Sequence, residues 1–215
     1  MDRPCCFIVG AGDFDGAYFS PAAGDLIIAA DGGYAHLRRL GVTPDIVLGD
    51  FDSLDAVPDH PCVLRHPTRK DDTDMGLALK TGLERGYRSF ALFGGLGGAR
   101  LDHTLANIQS LAWLCTQGAR GMLVGGGRVV AALENGAMAF RESCRGFLSV
   151  FCHGDSASGV FLRGLKYPLD NAALSCRFPL GVSNEFLGIP ARVEVEHGLL
   201  IVTWQGGPED VQFLE

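Results

Sequence analysis

The 215-residue chain lacks most of the signatures that would fix a function class at once. It has no Cys-x-x-Cys, and its seven cysteines share no repeated spacing, so neither a zinc site nor a disulfide framework is expected. It has no G-x-x-x-x-G-K-S/T, which excludes a P-loop. No apolar run reaches the roughly 20 residues needed to span a bilayer, and the opening MDRPCCFIVG holds no signal-peptide core. A reducing, cytoplasmic location with no membrane partner is the expectation. Positive charge is scarce too. Lys and Arg total 18 against 25 Asp and Glu, a net charge of −7, which is the wrong sign for a generic nucleic-acid binder.

What is plentiful is glycine. Its 30 residues are about twice the usual share of roughly 7%, which predicts many tight turns or a backbone that approaches a ligand closely. The hydrophobic fraction of 47% excludes disorder. The cysteines, mostly in apolar runs, read as small core hydrophobes.

The chain changes character once. Up to about residue 127, short apolar runs (5–10, 25–30, 45–48, 63–64, 89–94, 121–125) alternate with helical patterns over 32–40, 73–85 and 102–117. Met75, Leu79 and Leu83 form one stripe, with Gly86 as a stop. Leu105, Ile108, Leu111, Ala112 and Leu114 form another. Alternation of this kind predicts a mostly parallel sheet flanked by helices. Beyond it, runs such as RVVAALE, FLSVFC, ARVEVE and LLIVTW recur at the spacing of an antiparallel sandwich or barrel. The expected fold is an α/β domain over 1–127 followed by a smaller all-β domain over 128–215.

The aspartates sit where such a sheet binds ligands, just past strand ends. Asp31 follows one strand, and Asp50 and Asp52 follow the next in G-D-F-D-S. Asp71 and Asp74 begin a helix, and Asp102 begins another. Any one could be a helix cap or a turn residue. Together they cost stability, because two carboxylates about 4 Å apart repel by about 4 kcal/mol at an effective dielectric of 20. A cation relieves that cost, and oxygen-only ligands suit Mg²⁺. Phe51 separates Asp50 from Asp52, so an extended segment would put both carboxylates on one side. The run from Gly94 to Asn107 adds a glycine-rich loop and Arg100, which can fork onto phosphate oxygens. His103 and Asn107 are one helical turn apart.

A second reading is open. Gly10, Gly12 and Gly16 miss the dinucleotide fingerprint by one position, and Asp31 falls about 20 residues later, where a ribose-binding acid would lie. A nicotinamide-dependent enzyme would use these groups and leave the other aspartates unexplained. A non-catalytic ligand sensor is a third reading.

Six segments in order resemble the thiamine pyrophosphokinase family: A-D-G-G (30–33), P-D-I-V-L-G-D-F-D-S (44–53), K-D-D-T-D (70–74), G-G-A-R-L-D-H-T-L-A-N (97–107), G-L-K-Y-P-L (164–169) and G-V-S-N-E-F (181–186). Ala99 stands where the family often has glycine, and Gly76 where many bacterial members have glutamate. The resemblance implies a β-sandwich for the all-β domain. It implies diphosphoryl transfer from ATP to the hydroxyl of thiamine, giving thiamine diphosphate and AMP, in a homodimer with thiamine in a cleft between subunits. It implies a Mg·ATP site in which Asp50, Asp52, Asp71 and Asp74 hold metal, and Asp31, Gly32, Ser53, Gly97, Arg100 and Asn107 contact the nucleotide. Asp71, Asp74, Arg100, Asp102 and His103 would serve the chemistry. Which aspartate takes the hydroxyl proton stays open, as does whether His103 donates to phosphate or orients its loop. Ser183 and Asn184 would help bind thiamine. Trp204 is either a stacking platform for the cationic ring or an ordinary strand aromatic.

Overall fold

The structure, a computed structural model, describes residues 4–50, 60–65 and 72–214. It divides into two compact units, one formed by 1–110 with 118–126 and the other by 111–117 with 127–215.

The first unit is built on β1 (Cys5–Val9), β2 (Leu26–Ala30), β3 (Ile46–Gly49), β4 (Val63–Arg65), β5 (Ser89–Phe93) and β6 (Arg120–Gly125). They pair in parallel in the order β6-β5-β1-β2-β3-β4. Every residue of β1 is buried, which is why the central strand reads as a continuous apolar run and not an alternating one. A 3₁₀ turn (Gly16–Tyr18) and helices α1 (Gly33–Arg39), α2 (Asp74–Glu84) and α3 (Leu101–Thr116) make the connections. Helix α2 starts at Asp74 because Thr73 is extended and its hydroxyl accepts the Gly76 N–H at 3.0 Å. Its buried stripe is Met75, Ala78, Leu79 and Gly82, with Leu83 only half-buried. In α3 the expected apolar face is corrected. Leu111 and Leu114 are buried, but Leu105 is exposed together with Leu101. The helix carries two apolar stripes, and the buried one runs through Asn107, Leu111 and Leu114.

Helix α1 begins hard against the end of β1. A Cβ on Gly33 would lie 1.8 Å from the Val9 carbonyl oxygen, so only glycine fits.

The second unit is antiparallel throughout: β7 (Arg128–Phe140), β8 (Phe147–Cys152), β9 (Ser156–Arg163), β10 (Leu169–Ser175), β11 (Gly181–Glu185), β12 (Ala191–Gln205) and β13 (Val211–Leu214). The long strands β7 and β12 pair along most of their length, with an irregularity between Val195 and Leu199. Before it, β12 also pairs with β9, which leads on to β10. After it, β12 pairs with β8, which leads on to β11. One bent strand pair thus serves two sets of neighbours, the way a sandwich turns its corner. Phe140 packs between Phe186 and Trp204, at ring-centre distances of 5.4 and 5.3 Å. Among the described residues, no helix is long and apolar enough to cross a membrane.

Candidate active site

The chain runs outward from β1 through β2, β3 and β4, then returns to place β5 on the other side of β1. The loops after β1 and β5 therefore part from one another, and a crevice opens beyond the strand ends. A cavity of about 460 Å³ lies there, within the ordinary size range of small-molecule sites.

Its floor is glycine backbone. The Gly10 N–H donates to the Phe93 carbonyl at 2.8 Å and the Gly12 N–H to the Gly94 carbonyl at 3.0 Å. The loops lie too close for side chains. A Cβ on Gly12 would sit 2.6 Å from the Gly94 oxygen, and Gly94 itself has a φ of +65°. The Gly12 N–H is spent on Gly94, which weakens the nicotinamide reading at the glycine that would approach a pyrophosphate.

Acidic and basic groups share this cavity. Asp31 follows β2 in a left-handed turn with a φ of +48°, held by its N–H to the Leu48 carbonyl at 2.7 Å. Asp50 follows β3 and Asp74 opens α2, and both line the cavity with Asp31. So do Gly97, Arg100, His103 and Asn107. Asp72, between Asp71 and Asp74 in the K-D-D-T-D run, is instead tied to the Lys80 ammonium at 2.7 and 2.8 Å. Asp52, Ser53 and Asp71 lie outside the described residues.

Arg100 precedes α3 and forks onto Asp102. Its Nε donates to one carboxylate oxygen at 3.0 Å and its Nη2 to the other at 2.7 Å. These hydrogen bonds hold the Asp102 carboxyl down to about 2 and push the Arg100 guanidinium up. Asp102 is not among the groups lining the cavity, whereas Arg100 is. The carboxylate therefore holds the guanidinium from behind.

Three expected site residues are buried, with their polar groups engaged inside the protein. Asn107 is 5% exposed, and its amide donates to the Gly95 carbonyl at 2.9 Å, so it fixes the loop after β5. Asn184 is 3% exposed. Its oxygen accepts the Tyr167 N–H at 2.9 Å and its nitrogen donates to the Tyr167 carbonyl at 2.7 Å. It pins the Lys166–Pro168 turn and has little surface left for a ligand. Trp204 is 1% exposed with its indole N–H on the Gly207 carbonyl at 3.1 Å, so it offers no face for stacking. Gly32 does not line the cavity and instead caps α1. Ser183 is exposed and strained, with a φ of +60° and its N–H on the Ser149 hydroxyl at 3.0 Å.

Thr73 and Met75 line the cavity and went unnoticed in the sequence. The cap position of Thr73 was a readable signal, whereas Met75 looks like any other core residue of an amphipathic helix.

A crevice at the crossover of a parallel sheet, lined by carboxylates, an arginine and glycine backbone, with an antiparallel unit in the same chain, defines a two-unit α/β enzyme. Residues 22–123 match the family model described as thiamin pyrophosphokinase, catalytic domain, and residues 139–200 match that described as thiamin pyrophosphokinase, vitamin B1 binding domain. The chain belongs to the thiamin pyrophosphokinase family, whose members are transferases that diphosphorylate thiamine. A thiamine pyrophosphokinase of Bacillus subtilis strain 168 is 28% identical over 184 residues, covering 82% of this chain and 86% of the relative. A crystal structure of thiamine pyrophosphokinase from Bacillus subtilis superposes with a TM-score of 0.83 at 26% identity, covering 94% of this chain and 99% of that one. One from Geobacillus thermodenitrificans gives 0.81 at 26% identity, covering 96% and 99%.

Proposed function

We propose that the cavity binds Mg·ATP and that the enzyme moves the terminal diphosphoryl group of ATP to the hydroxyl of thiamine, releasing AMP. The supporting observation is that Asp31, Asp50 and Asp74 share one glycine-floored cavity with Arg100 and His103. Carboxylates alone would repel a polyphosphate, and an arginine alone would leave them unbalanced. A metal-polyphosphate satisfies both.

Asp50 and Asp74, with Asp52 and Asp71, would hold the metal. Among the described residues, no three His, Cys, Asp or Glu side chains cluster closely enough to hold an ion by themselves. Mg²⁺ suits an all-oxygen set of this kind, because it keeps waters and is completed by substrate phosphate oxygens. When bound, Mg²⁺ neutralises phosphate charge next to the aspartates.

In the reaction, the thiamine hydroxyl oxygen forms a bond to the β-phosphorus. The bond from that phosphorus to the α,β-bridging oxygen breaks, and the oxygen leaves with AMP. The hydroxyl proton passes to a site aspartate. Arg100, braced by Asp102, stabilises charge on the transferred group. His103, exposed in the first turn of α3 and lining the cavity, donates to phosphate. The Gly97–Ala99 backbone at the start of α3 favours the anion. ATP thus belongs to 1–127 and thiamine to 128–215, where Ser183 contacts the vitamin and Asn184 shapes the turn beside it. We further propose a homodimer. Phe147, Phe151, Phe178, Leu180 and Val182 expose apolar surface on and before the paired strands β8 and β11, and a second copy would cover it.

The test is product analysis. Protein, thiamine, ATP and MgCl₂ should give AMP and thiamine diphosphate in equal amounts, and EDTA should abolish both. ADP with thiamine monophosphate would overturn attack at the β-phosphorus. Turnover undiminished by EDTA would overturn the metal site.

A further inference from the structure

We propose that His36 is a positioning residue for nucleotide binding, acting through the Gly10–Gly12 loop. This rests on the reading of the cavity as the ATP site.

The Gly10–Gly12 loop forms part of the cavity floor, yet its sequence, Gly-Ala-Gly, gives it almost no side-chain means of holding itself. Gly12 is obligatory and Gly10 leaves little room for a side chain. A Cβ on Gly12 would meet the Gly94 oxygen at 2.6 Å, and one on Gly10 would meet it at 3.1 Å. The same absence of side chains leaves the backbone loose, and ordering it costs conformational entropy. Something outside the loop has to fix it.

His36, half-buried on α1, supplies that restraint. Its Nε2 lies 2.9 Å from the Gly12 carbonyl and 3.4 Å from the Ala11 carbonyl. A carbonyl only accepts, so Nε2 must carry a proton. The Arg39 guanidinium, one turn along α1, donates to Nδ1, so that nitrogen must be the bare acceptor. The two contacts select the same neutral tautomer. Phe14, just past the loop, stacks on the imidazole with ring centres 5.3 Å apart and planes 25° from parallel. The ring is thereby held on one face and at both nitrogens.

Gly12 is consequently clamped at both backbone groups: its N–H by the Gly94 carbonyl and its carbonyl by His36. Because the peptide is planar and trans, turning the Gly12 carbonyl toward α1 turns the Asp13 N–H the other way. His36 thus fixes the orientation of the peptide that follows Gly12, and with it the lining loop Gly10–Gly12, without lining the cavity itself.

The test is His36→Phe, which keeps the stack and deletes the donor. The KM for ATP should rise about five-fold, the usual scale for one neutral hydrogen bond, with the thiamine KM unchanged and kcat within about two-fold. His36→Gln, which restores an N–H donor, should recover most of the loss. Loss of thermal stability with an unchanged ATP KM would overturn the proposal, because it would make His36 a packing residue only. Should His36→Phe fail to fold, Arg39→Ala carries the same test with an expected rise of about two-fold, and no rise there overturns it. Arg100→Gln is measured in parallel. If it raises the ATP KM and His36→Phe does not, His36 alone is wrong. If neither does, the cavity is not the ATP site and both readings fall.

Discussion

Arg100 reaches forward two residues to grip Asp102 through Nε and Nη2 at 3.0 and 2.7 Å. The pair is solvent-exposed, so its value lies in aiming a guanidinium and hardly at all in stability. Arg100→Ala should lower kcat/KM on the order of 10²–10³-fold, the usual cost of losing one preorganised charge contact. Asp102→Asn should cost less, because the guanidinium stays but is no longer held. If Asp102 acts through Arg100, the double variant should be no worse than Arg100→Ala. Steady-state kinetics on the cycle measures the coupling.

The same pair fixes a pH expectation. Hydrogen bonding from Arg100 lowers the Asp102 carboxyl from its ordinary value of 3.8 to about 2. A depressed carboxyl contributes its full stabilising effect above the unfolded value and loses it as pH falls through the folded one. The pair therefore stays intact at every pH above roughly 4. Any change in kcat/KM between pH 5 and 8 should persist unchanged in Asp102→Asn.

Asp74 occupies the first turn of α2, where a negative charge also favours the helix by about 0.3–1 kcal/mol. Asp74→Asn should therefore move the denaturation midpoint little and turnover greatly. If the carboxylate holds metal, activity in Asp74→Asn should need far more Mg²⁺ to saturate. A metal titration with unaltered half-saturation would exclude that role.

In the β unit, Ser183 and Asn184 should behave oppositely. Ser183 holds a left-handed backbone at φ +60°, so Ser183→Gly relieves about 1–2 kcal/mol of strain against a chain-entropy cost of roughly 0.5–1 kcal/mol and should leave the fold as stable or slightly more stable in urea. If its hydroxyl contacts thiamine, the thiamine KM should rise in that variant. Asn184→Ala removes both hydrogen bonds from the buried amide to the Tyr167 backbone and should cost about 1–3 kcal/mol, at about 0.5–1.5 kcal/mol for each bond.

Trp204 gives a spectroscopic check. Its ring is buried beside Phe140, so Trp204→Ala should destabilise by about 3–5 kcal/mol. Saturating thiamine should leave the fluorescence of a Trp113→Phe variant, in which Trp204 is the remaining tryptophan, almost unquenched.

Periodicity and chain punctuation were enough to delimit the strands and helices of the first unit, because each is decided locally. Buried parallel strands must be apolar throughout, Thr73 must cap before a helix begins, and Gly86 allows it to end. The aspartates past the strand ends were legible for the same reason. Asn107, Asn184 and Trp204 were not. A polar amide near a motif looks like a ligand contact until its neighbours are known, and an indole looks like a platform until its faces are covered. Leu105 misled likewise, since two apolar stripes on one helix are indistinguishable until one is buried.

The sequence by itself determined the two-part architecture, the family motifs and the residue types of the site, all of which follow from order along the chain. Only the tertiary structure decided which groups meet. It set the loops after β1 and β5 against each other through glycine backbone, brought Asp31, Asp50 and Asp74 to one cavity with Arg100, and placed His36 behind Gly12. Those relationships span from about 20 to about 90 residues of chain. They arise from strand order and close packing, which no local pattern encodes.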